Sequence, residues 1–443
     1  METWGAHLPG DRSQVIRTYR QGPVQAPSGG PPRRRLQLSR AEAFWAVAGG
    51  FLTLFAFSTA PGPLYGLYQQ QDHLSSLTVT IVYAVYATGI VASLLLVGHV
   101  SDWYGRKPVL IPALMLGLVS AAIFAASASL PALVIGRVLN GLAIGAAVAT
   151  GTAYIADLDA EPGGVPSRKS EIVATVAQIG GLAIGPLLVG LFAQYLPDKL
   201  SLSYLIFVGA FVVSIVALIA SPEGRAPIIP RPRYHPQRLS VPPGSRGRFT
   251  AAATSAFLCF AALGLFAGLT GTFLAGPLHH RSEFLTGLTI FITFGSGAVA
   301  QVMTSAWQLR RLISAGIVSM LSGLVVVVLA AWLSPPSLAM FVIGGGVIGA
   351  GCGLLFRGGL TVTVSAAPAD QRAGLLAAFF VTAYVGLSLP VVGLGIALQY
   401  VSPKVVLLAF GAIVAVGTLA ASPVLFASLR GPGSAAGRSV RPL

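Results

Sequence analysis

Acidic residues are what this sequence most lacks: Asp and Glu together number 13 in 443 positions, and charged residues of either sign make up 9% of the chain, against about 25% in soluble domains. So little charge excludes most soluble folds of this length. It also excludes intrinsic disorder over most of the chain, because disordered segments pair high net charge with low hydrophobicity, whereas 54% of these residues are hydrophobic and the mean hydropathy is +0.79. Cysteine is equally scarce. Cys259 and Cys352 are the only two, both inside apolar stretches, so they read as small apolar side chains and neither a disulfide framework nor a metal site is expected. What is present in quantity is glycine, 53 residues, and a lopsided basic charge of 28 Lys and Arg for a formal net of +15. A nucleic-acid partner is not expected, because the basic residues stand in short breaks between long uncharged runs and do not stripe one exposed face. The pattern predicts a polytopic membrane protein whose immediate partner is the lipid bilayer.

The uncharged runs have the length a bilayer demands, roughly 20 apolar residues. They predict an all-α fold of twelve spans, at 43–66, 77–98, 108–128, 131–156, 171–195, 203–221, 250–277, 284–306, 312–333, 337–363, 374–399 and 404–428. The turn signal Ser334-Pro335-Pro336-Ser337 divides a stretch that otherwise carries no charge from 312 to 356. With this layout 23 of the 28 basic residues fall on the side of the N-terminus, three on the opposite side, and two, Arg137 and Arg357, within spans. By the positive-inside rule both termini are expected in the cytoplasm. No cleavable signal peptide is expected. The excess positive charge needs no anionic partner, although Arg33-Arg34-Arg35 can also meet lipid headgroups.

The longest internal break, 222–249, holds seven prolines and six arginines and reads as a linker. The expected organisation is therefore a disordered basic tail (1–41), a six-helix bundle (42–221), the linker (222–249), a second six-helix bundle (250–428) and a short tail (429–443). The halves echo each other: a shift of 208 residues lays Gly141, Gly145 and Gly151 on Gly349, Gly353 and Gly359. Repeat-built transporters place their substrate near the bilayer midplane between the repeats.

The break after the second span reads Gly98-His99-Val100-Ser101-Asp102-Trp103-Tyr104-Gly105-Arg106-Lys107. It resembles the loop of the major facilitator superfamily between helices two and three, G-x-x-x-D-x-x-G-R-K/R, with Val100 in place of the usual leucine. The glycines permit a tight turn, and Asp102 can face the positive end of a neighbouring helix, a bond broken and remade as the halves rock. Taken alone, Arg106 and Lys107 would also satisfy the positive-inside rule. Arg137-x-x-Asn140-Gly141-x-x-x-Gly145 in the fourth span resembles the superfamily's R-x-x-x-G-x-x-x-G pattern. An intramembrane arginine costs about 2.5–3.5 kcal/mol or more and should face protein, water or substrate. Arg137 and Arg357 are accordingly candidates for a substrate cavity, with Asn140, Tyr65, Tyr86 and Gln178; snorkelling to the membrane surface remains open for either arginine. In the fifth span, Gly181-x-x-x-Gly185-Pro186 resembles the G-x-x-x-G-P-x-x-G-G motif of the drug/proton antiporter branch, with Gly190 arriving one residue late. Pro186 frees the carbonyl of Leu182 and bends the helix, while the glycines suit close helix packing. Pro368-Ala369-Asp370-Gln371-Arg372 resembles the basic loop before helix eleven.

The resemblance implies a secondary transporter of two six-helix bundles with a small-molecule substrate, functional as a monomer, without cofactor or enzymatic activity, set in the plasma membrane and exporting by alternating access. Protons are a candidate coupling ion, but no acid or histidine lies deep in a span, so proton coupling rests on the fifth-helix resemblance alone. The alternative is a facilitator or importer of an anionic metabolite or sugar, with the two arginines as its attraction.

Overall fold

The computed structural model describes residues 37–71, 74–98, 100–160, 167–225, 229, 234–237, 239–366 and 371–427. The expectations for residues 33–35, His99, residues 368–370 and the tails before 37 and after 427 lie outside them. Twelve helices among the described residues are long and apolar enough to cross a membrane: α1 (Arg40–Gln70), α2 (Ser76–Leu96), α3 (Lys107–Ala126), α4 (Leu130–Asp159), α5 (Arg168–Tyr195), α6 (Ser201–Ala220), α7 (Pro243–Ala275), α8 (Glu283–Met303), α9 (Leu309–Trp332), α10 (Leu338–Ala366), α11 (Arg372–Ala397) and α12 (Pro403–Ala427).

Local chemistry sets their ends. Helix α1 starts at a capping box, in which the Ser39 hydroxyl accepts from the Glu42 N–H and the Glu42 carboxylate accepts from the Ser39 N–H. Ser75 and Ser282 cap α2 and α8 with their hydroxyls. Pro61 and Pro63 break the ladder of α1, which passes through a single 3₁₀ turn at Gly62–Leu64 and resumes at Tyr65–Gln71.

The packing repeats. In the first half α1 packs on α4, α5 and α6, α2 on α4, and α3 on α4 and α6; in the second half α7 packs on α10, α11 and α12, α8 on α10, and α9 on α10 and α12. The halves meet along two seams that correspond under the same repeat, α2 with α11 and α5 with α8. Helices α3, α6, α9 and α12 take no part in those seams and present apolar side chains outward, among them Val213, Val318 and Ile413, each more than 60% exposed. In a bilayer such faces meet lipid. The fold is thus all-α and built of two pseudo-symmetric six-helix bundles.

The glycine echo has a structural meaning. Gly141 of α4 lies against the backbone of Tyr86 and Gly89 in α2, and Gly353 of α10 lies against Gly297 in α8; Gly89 and Gly297 are themselves 208 residues apart. Each half therefore owns the same close helix pair, held by small residues that let two backbones touch.

Hydrogen bonds sort the helix ends into two faces. Arg40 reaches the carbonyls ending α4, Lys107 those ending α6, Arg168 of α5 reaches Ser305 after α8, and Ser245 in the first turn of α7 reaches Ala366 at the end of α10. This is the basic end. At the far end Tyr68 bonds Tyr204, Ser282 bonds Gln194, and Trp332 bonds the Lys404 carbonyl.

Candidate functional site

A cavity of about 710 Å³ lies between the halves. Its wall is largely apolar and aromatic, with Phe55, Tyr83 and Tyr86 from the first half and Phe260, Phe294, Phe356, Phe380 and Tyr384 from the second. Hydroxyls and amides punctuate it: Ser58, Thr59, Thr152, Thr175, Gln178, Thr293 and Gln301. The cavity reaches Gly98, Asp102, Gln237 and Ala373 at the basic end, and Asp102, at that mouth, is the only charged side chain on the wall among the described residues. The far end is shut. A Cβ on Gly190 of α5 would stand 2.5 Å from the Glu283 carbonyl of α8, Gly287 abuts the Pro186 carbonyl, Gly62 lies against Ala267, and Gly395 of α11 meets Thr80 of α2. A hydrogen bond of 3.1 Å from Ser282 to Gln194 and a 3.8 Å ion pair between Lys199 and Glu283 add polar ties there.

Of the residues singled out in the sequence, Tyr86 and Gln178 are on this wall; Arg137, Asn140, Tyr65 and Arg357 are not. Arg137 is 1% exposed. Its guanidinium donates to the Ser58 carbonyl at 2.7 Å and to the Tyr65 hydroxyl, and the rings of Tyr65, Tyr86 and Tyr83 surround it at 5.5, 5.7 and 6.0 Å. Cation–π attraction and a carbonyl replace the carboxylate that a buried arginine ordinarily finds. Tyr83 and Tyr86 stand between it and the cavity, which is why an arginine inside a span is not on the wall. Arg137 Nε and both polar atoms of Asn140 make no hydrogen bond among the described residues. Sequence reasoning located this buried arginine but not its screen, because a helical wheel shows which residues share a face and not what the face meets.

Arg357 is held elsewhere. It donates to the carbonyls of Gln301, in the last turn of α8, and Ser305, just beyond it, at 2.9 Å each, where the helix dipole is negative. Its guanidinium is committed to that helix end rather than to the cavity, as its position near the basic end of α10 explains.

The loop between α2 and α3 forms a charge cluster. Arg106, 4% exposed, donates to Asp102 and to Asp157 at the end of α4, each at 2.8 Å, and to Ser101 at 2.9 Å. Burial pulls the Arg106 pKa down, but hydrogen bonds and charge from Asp157 and Asp102 outweigh it, and the pKa stands above its ordinary value. The guanidinium is therefore a fixed cation. Glu223, beyond α6, accepts the N–H of Arg106 at 2.6 Å and that of Lys107 at 3.3 Å, capping α3 from the linker. Gly105 makes this possible: its φ of 99° is a left-handed conformation, and a Cβ would stand 3.0 Å from the Glu223 carboxylate. Asp102 also faces Arg225 at 3.6 Å. Among the described residues, the ion pairs of Asp102 lie within the first half and the linker. That Asp157 and Glu223 partner Arg106 was not legible in the sequence, although each is an acid placed where a helix ends on the basic side.

Helix α5 carries a π turn at Val176–Gly180, around Gln178, between two α-helical stretches, an irregularity that tends to mark functional sites. Pro186 leaves the Leu182 carbonyl free, and the Thr59 hydroxyl takes it up at 2.9 Å. The small residues of α5 do two jobs. Gly181 and Gly185 bring it against Leu52, Phe55 and Ala56 of α1, inside the first half, whereas Gly190 faces α8 of the second half.

Two bundles around a cavity closed at one end and open at the other are the architecture of a polytopic helical membrane protein. Residues 46–339 match the model of the Major Facilitator Superfamily, and the chain belongs to that superfamily. Among curated proteins it is 23% identical over 209 residues to the uncharacterized MFS-type transporter YybF of Bacillus subtilis (strain 168), covering 47% of this chain and 49% of that protein. It is 32% identical over 125 residues to D-xylose-proton symporter-like 2 of Arabidopsis thaliana, covering 28% of this chain and 25% of that one. The chain thus matches half or less of the length of these relatives. Among solved structures it resembles the nucleoside transporter NupG (TM-score 0.65, 14% identity, 86% of this chain and 99% of that chain) and a POT family transporter in complex with a thioalcohol-conjugated peptide (TM-score 0.70, 13% identity, 87% and 96%). At such identities the likeness is one of fold.

Proposed function

We propose that this transporter exports small, amphipathic, largely uncharged molecules across the cell membrane by rocker-switch alternating access, with the basic end and both termini in the cytoplasm. The observation that carries this reading is the cavity wall: aromatic and aliphatic over most of its surface, dotted with hydroxyls and amides, and charged only at the mouth. A volume of about 710 Å³ lies within the range of pockets for drug-sized ligands, about 300–1,000 Å³. Neither intramembrane arginine is on that wall, which removes the main support for an anionic substrate. The α5 motif supports export through its resemblance to the drug/proton antiporter branch. The two halves, 42–221 and 250–428, would swing about the cavity, joined by the linker 222–249, with a single chain as the working unit. If protons drive the cycle, the carboxylates at hand are Asp102 and Asp157 around Arg106, at the mouth.

The test is transport in proteoliposomes of a fluorescent, membrane-active dye, with a labelled sugar and a labelled dicarboxylate as the other arms, with and without a pH gradient. Saturable dye movement is expected, with Phe380→Ala and Phe356→Ala raising KM roughly three- to tenfold, the worth of one aromatic contact. Acceleration by the gradient would assign the coupling ion. Saturable sugar or dicarboxylate movement with no dye transport would replace this reading with the importer alternative.

A further inference from the structure

The linker between the two halves is more than a tether. Its residues Tyr234 to Gln237 lie across the end of α2, beside the cavity mouth. Helix α2 ends at Leu96, and its last turn leaves carbonyls without intrahelical partners. The linker supplies two donors: the Gln237 N–H to Leu95 O at 2.8 Å and the Tyr234 hydroxyl to Leu96 O at 3.1 Å. The His235 ring packs edge-on against Trp103 of the short helix Ser101–Tyr104, centroids 5.4 Å apart. Held at these three points, the segment places Gln237 on the cavity wall, at the same mouth as Asp102 and Ala373.

We propose that residues 234–237 form a strap that narrows the basic-end mouth, and that Gln237 is a selectivity residue there, a neutral amide passed by every substrate molecule that uses this opening. The proposal rests on the cavity being the transport path. The geometry gives the strap a reason to be fixed: docked, it pairs the end carbonyls of α2 and adds a polar side chain at the rim. An amide at the rim also suits an uncharged, hydrogen-bonding solute, since it both donates and accepts.

The experiment needs no identified substrate, so it fails or succeeds independently of the transport assay. Ala149, on the cavity wall, is replaced by Cys, and its alkylation by a membrane-impermeant maleimide applied from the basic end is followed by peptide mass spectrometry, with Cys259 and Cys352 left in place. Gln237→Trp is expected to slow labelling at position 149 by about fivefold or more, because the rate scales with the fraction of time the mouth admits the reagent. Gln237→Gly should keep or raise the rate, and Ser240→Trp, three residues further along the linker and off the wall, should leave it within about twofold. Adding Tyr234→Phe to Gln237→Trp should restore much of the rate by releasing the strap. Gln237→Trp labelling at the rate of the parent, in protein that elutes as the same monodisperse peak, would overturn the proposal.

Discussion

A buried arginine with no carboxylate beside it must be stabilised by neutral groups, and Arg137 uses a backbone carbonyl, a phenol and three aromatic faces. Lysine cannot reproduce this arrangement. Its compact ammonium has no planar fork to reach Ser58 O and Tyr65 together while lying against rings. Because Tyr83 and Tyr86 separate Arg137 from the cavity, its loss should be felt in the cycle and not in substrate affinity. Arg137→Lys and Arg137→Ala are expected to lower the maximal transport rate by about tenfold or more, the worth of one or two charge-assisted hydrogen bonds, with KM little changed. Initial-rate kinetics in proteoliposomes check this, and a raised KM at constant maximal rate would put the side chain on the wall after all. The corresponding position in the second half, 208 residues on, is Gly345, where the space is taken by Phe266. The repeat therefore preserves the packing but not the charge. That an arginine lies within a span was legible from the sequence. Its partners were not, since Tyr65, Tyr83 and Tyr86 come from two other helices whose facing surfaces no linear pattern specifies.

At the scale of the element, α5 shows how one helix serves two packing relationships. Gly181 and Gly185 press it on α1 within its own bundle, and Gly190 presses it on α8 across the boundary. The first contact has to survive the transport cycle, while the second has to break if the far end opens. Gly185→Leu is therefore expected to destabilise the protein, since overpacking costs about 1–3 kcal/mol, seen as a lower unfolding temperature and a loss of monodisperse protein. Gly190→Leu should leave the unfolding temperature near that of the parent and instead wedge the far seam, raising the labelling of a cysteine placed at Thr80 by reagent from the far end. Equal destabilisation by both would mean that the two contacts belong to one rigid unit. The small-residue pattern of α5 was legible, and so was the carbonyl released by Pro186. That Thr59 takes up that carbonyl, that the helix makes a π turn at Gln178, and that Gly190 works for the other half all depend on tertiary neighbours. Spans were legible for a related reason: charge is excluded from the hydrocarbon, so breaks in apolar runs mark helix ends to within a turn or two, and the main departures are at α1 and α7, where the structure extends the helix past the apolar run.

The whole molecule is closed unequally at its two ends. At the far end both seams are in contact, α5 with α8 at Gly190 and Gly287, and α2 with α11 at Thr80 and Gly395. At the basic end α5 and α8 are still tied through Arg168 and Ser305, but Leu94 and Gly98 of the α2 side and Ala373 and Ala377 of α11 all stand on the cavity wall. The opening thus lies on the α2 and α11 side. What holds the far end is modest. The Lys199–Glu283 pair is 3.8 Å apart with the lysine side chain 39% exposed, and such a surface pair contributes at most about 1 kcal/mol, so the seal is mainly the fit of glycine-lined backbones. A seal of this kind can be broken and remade by thermal motion, whereas a covalent tie across it cannot. Gln194→Cys with Ser282→Cys puts one thiol on each side of this seam, at residues whose side chains now bond at 3.1 Å, and the pair forms a disulfide if the Cα atoms come within about 7 Å. Oxidation of this pair with copper phenanthroline is expected to bring dye transport down to the protein-free background and reduction with dithiothreitol to restore it. Labelling of Ala149→Cys from the basic end should continue in the oxidised protein, because the lock holds the conformation in which that end is open. Undiminished transport by the cross-linked protein would show that substrate leaves without parting α5 from α8, and the far opening would then have to lie at Thr80 and Gly395 alone.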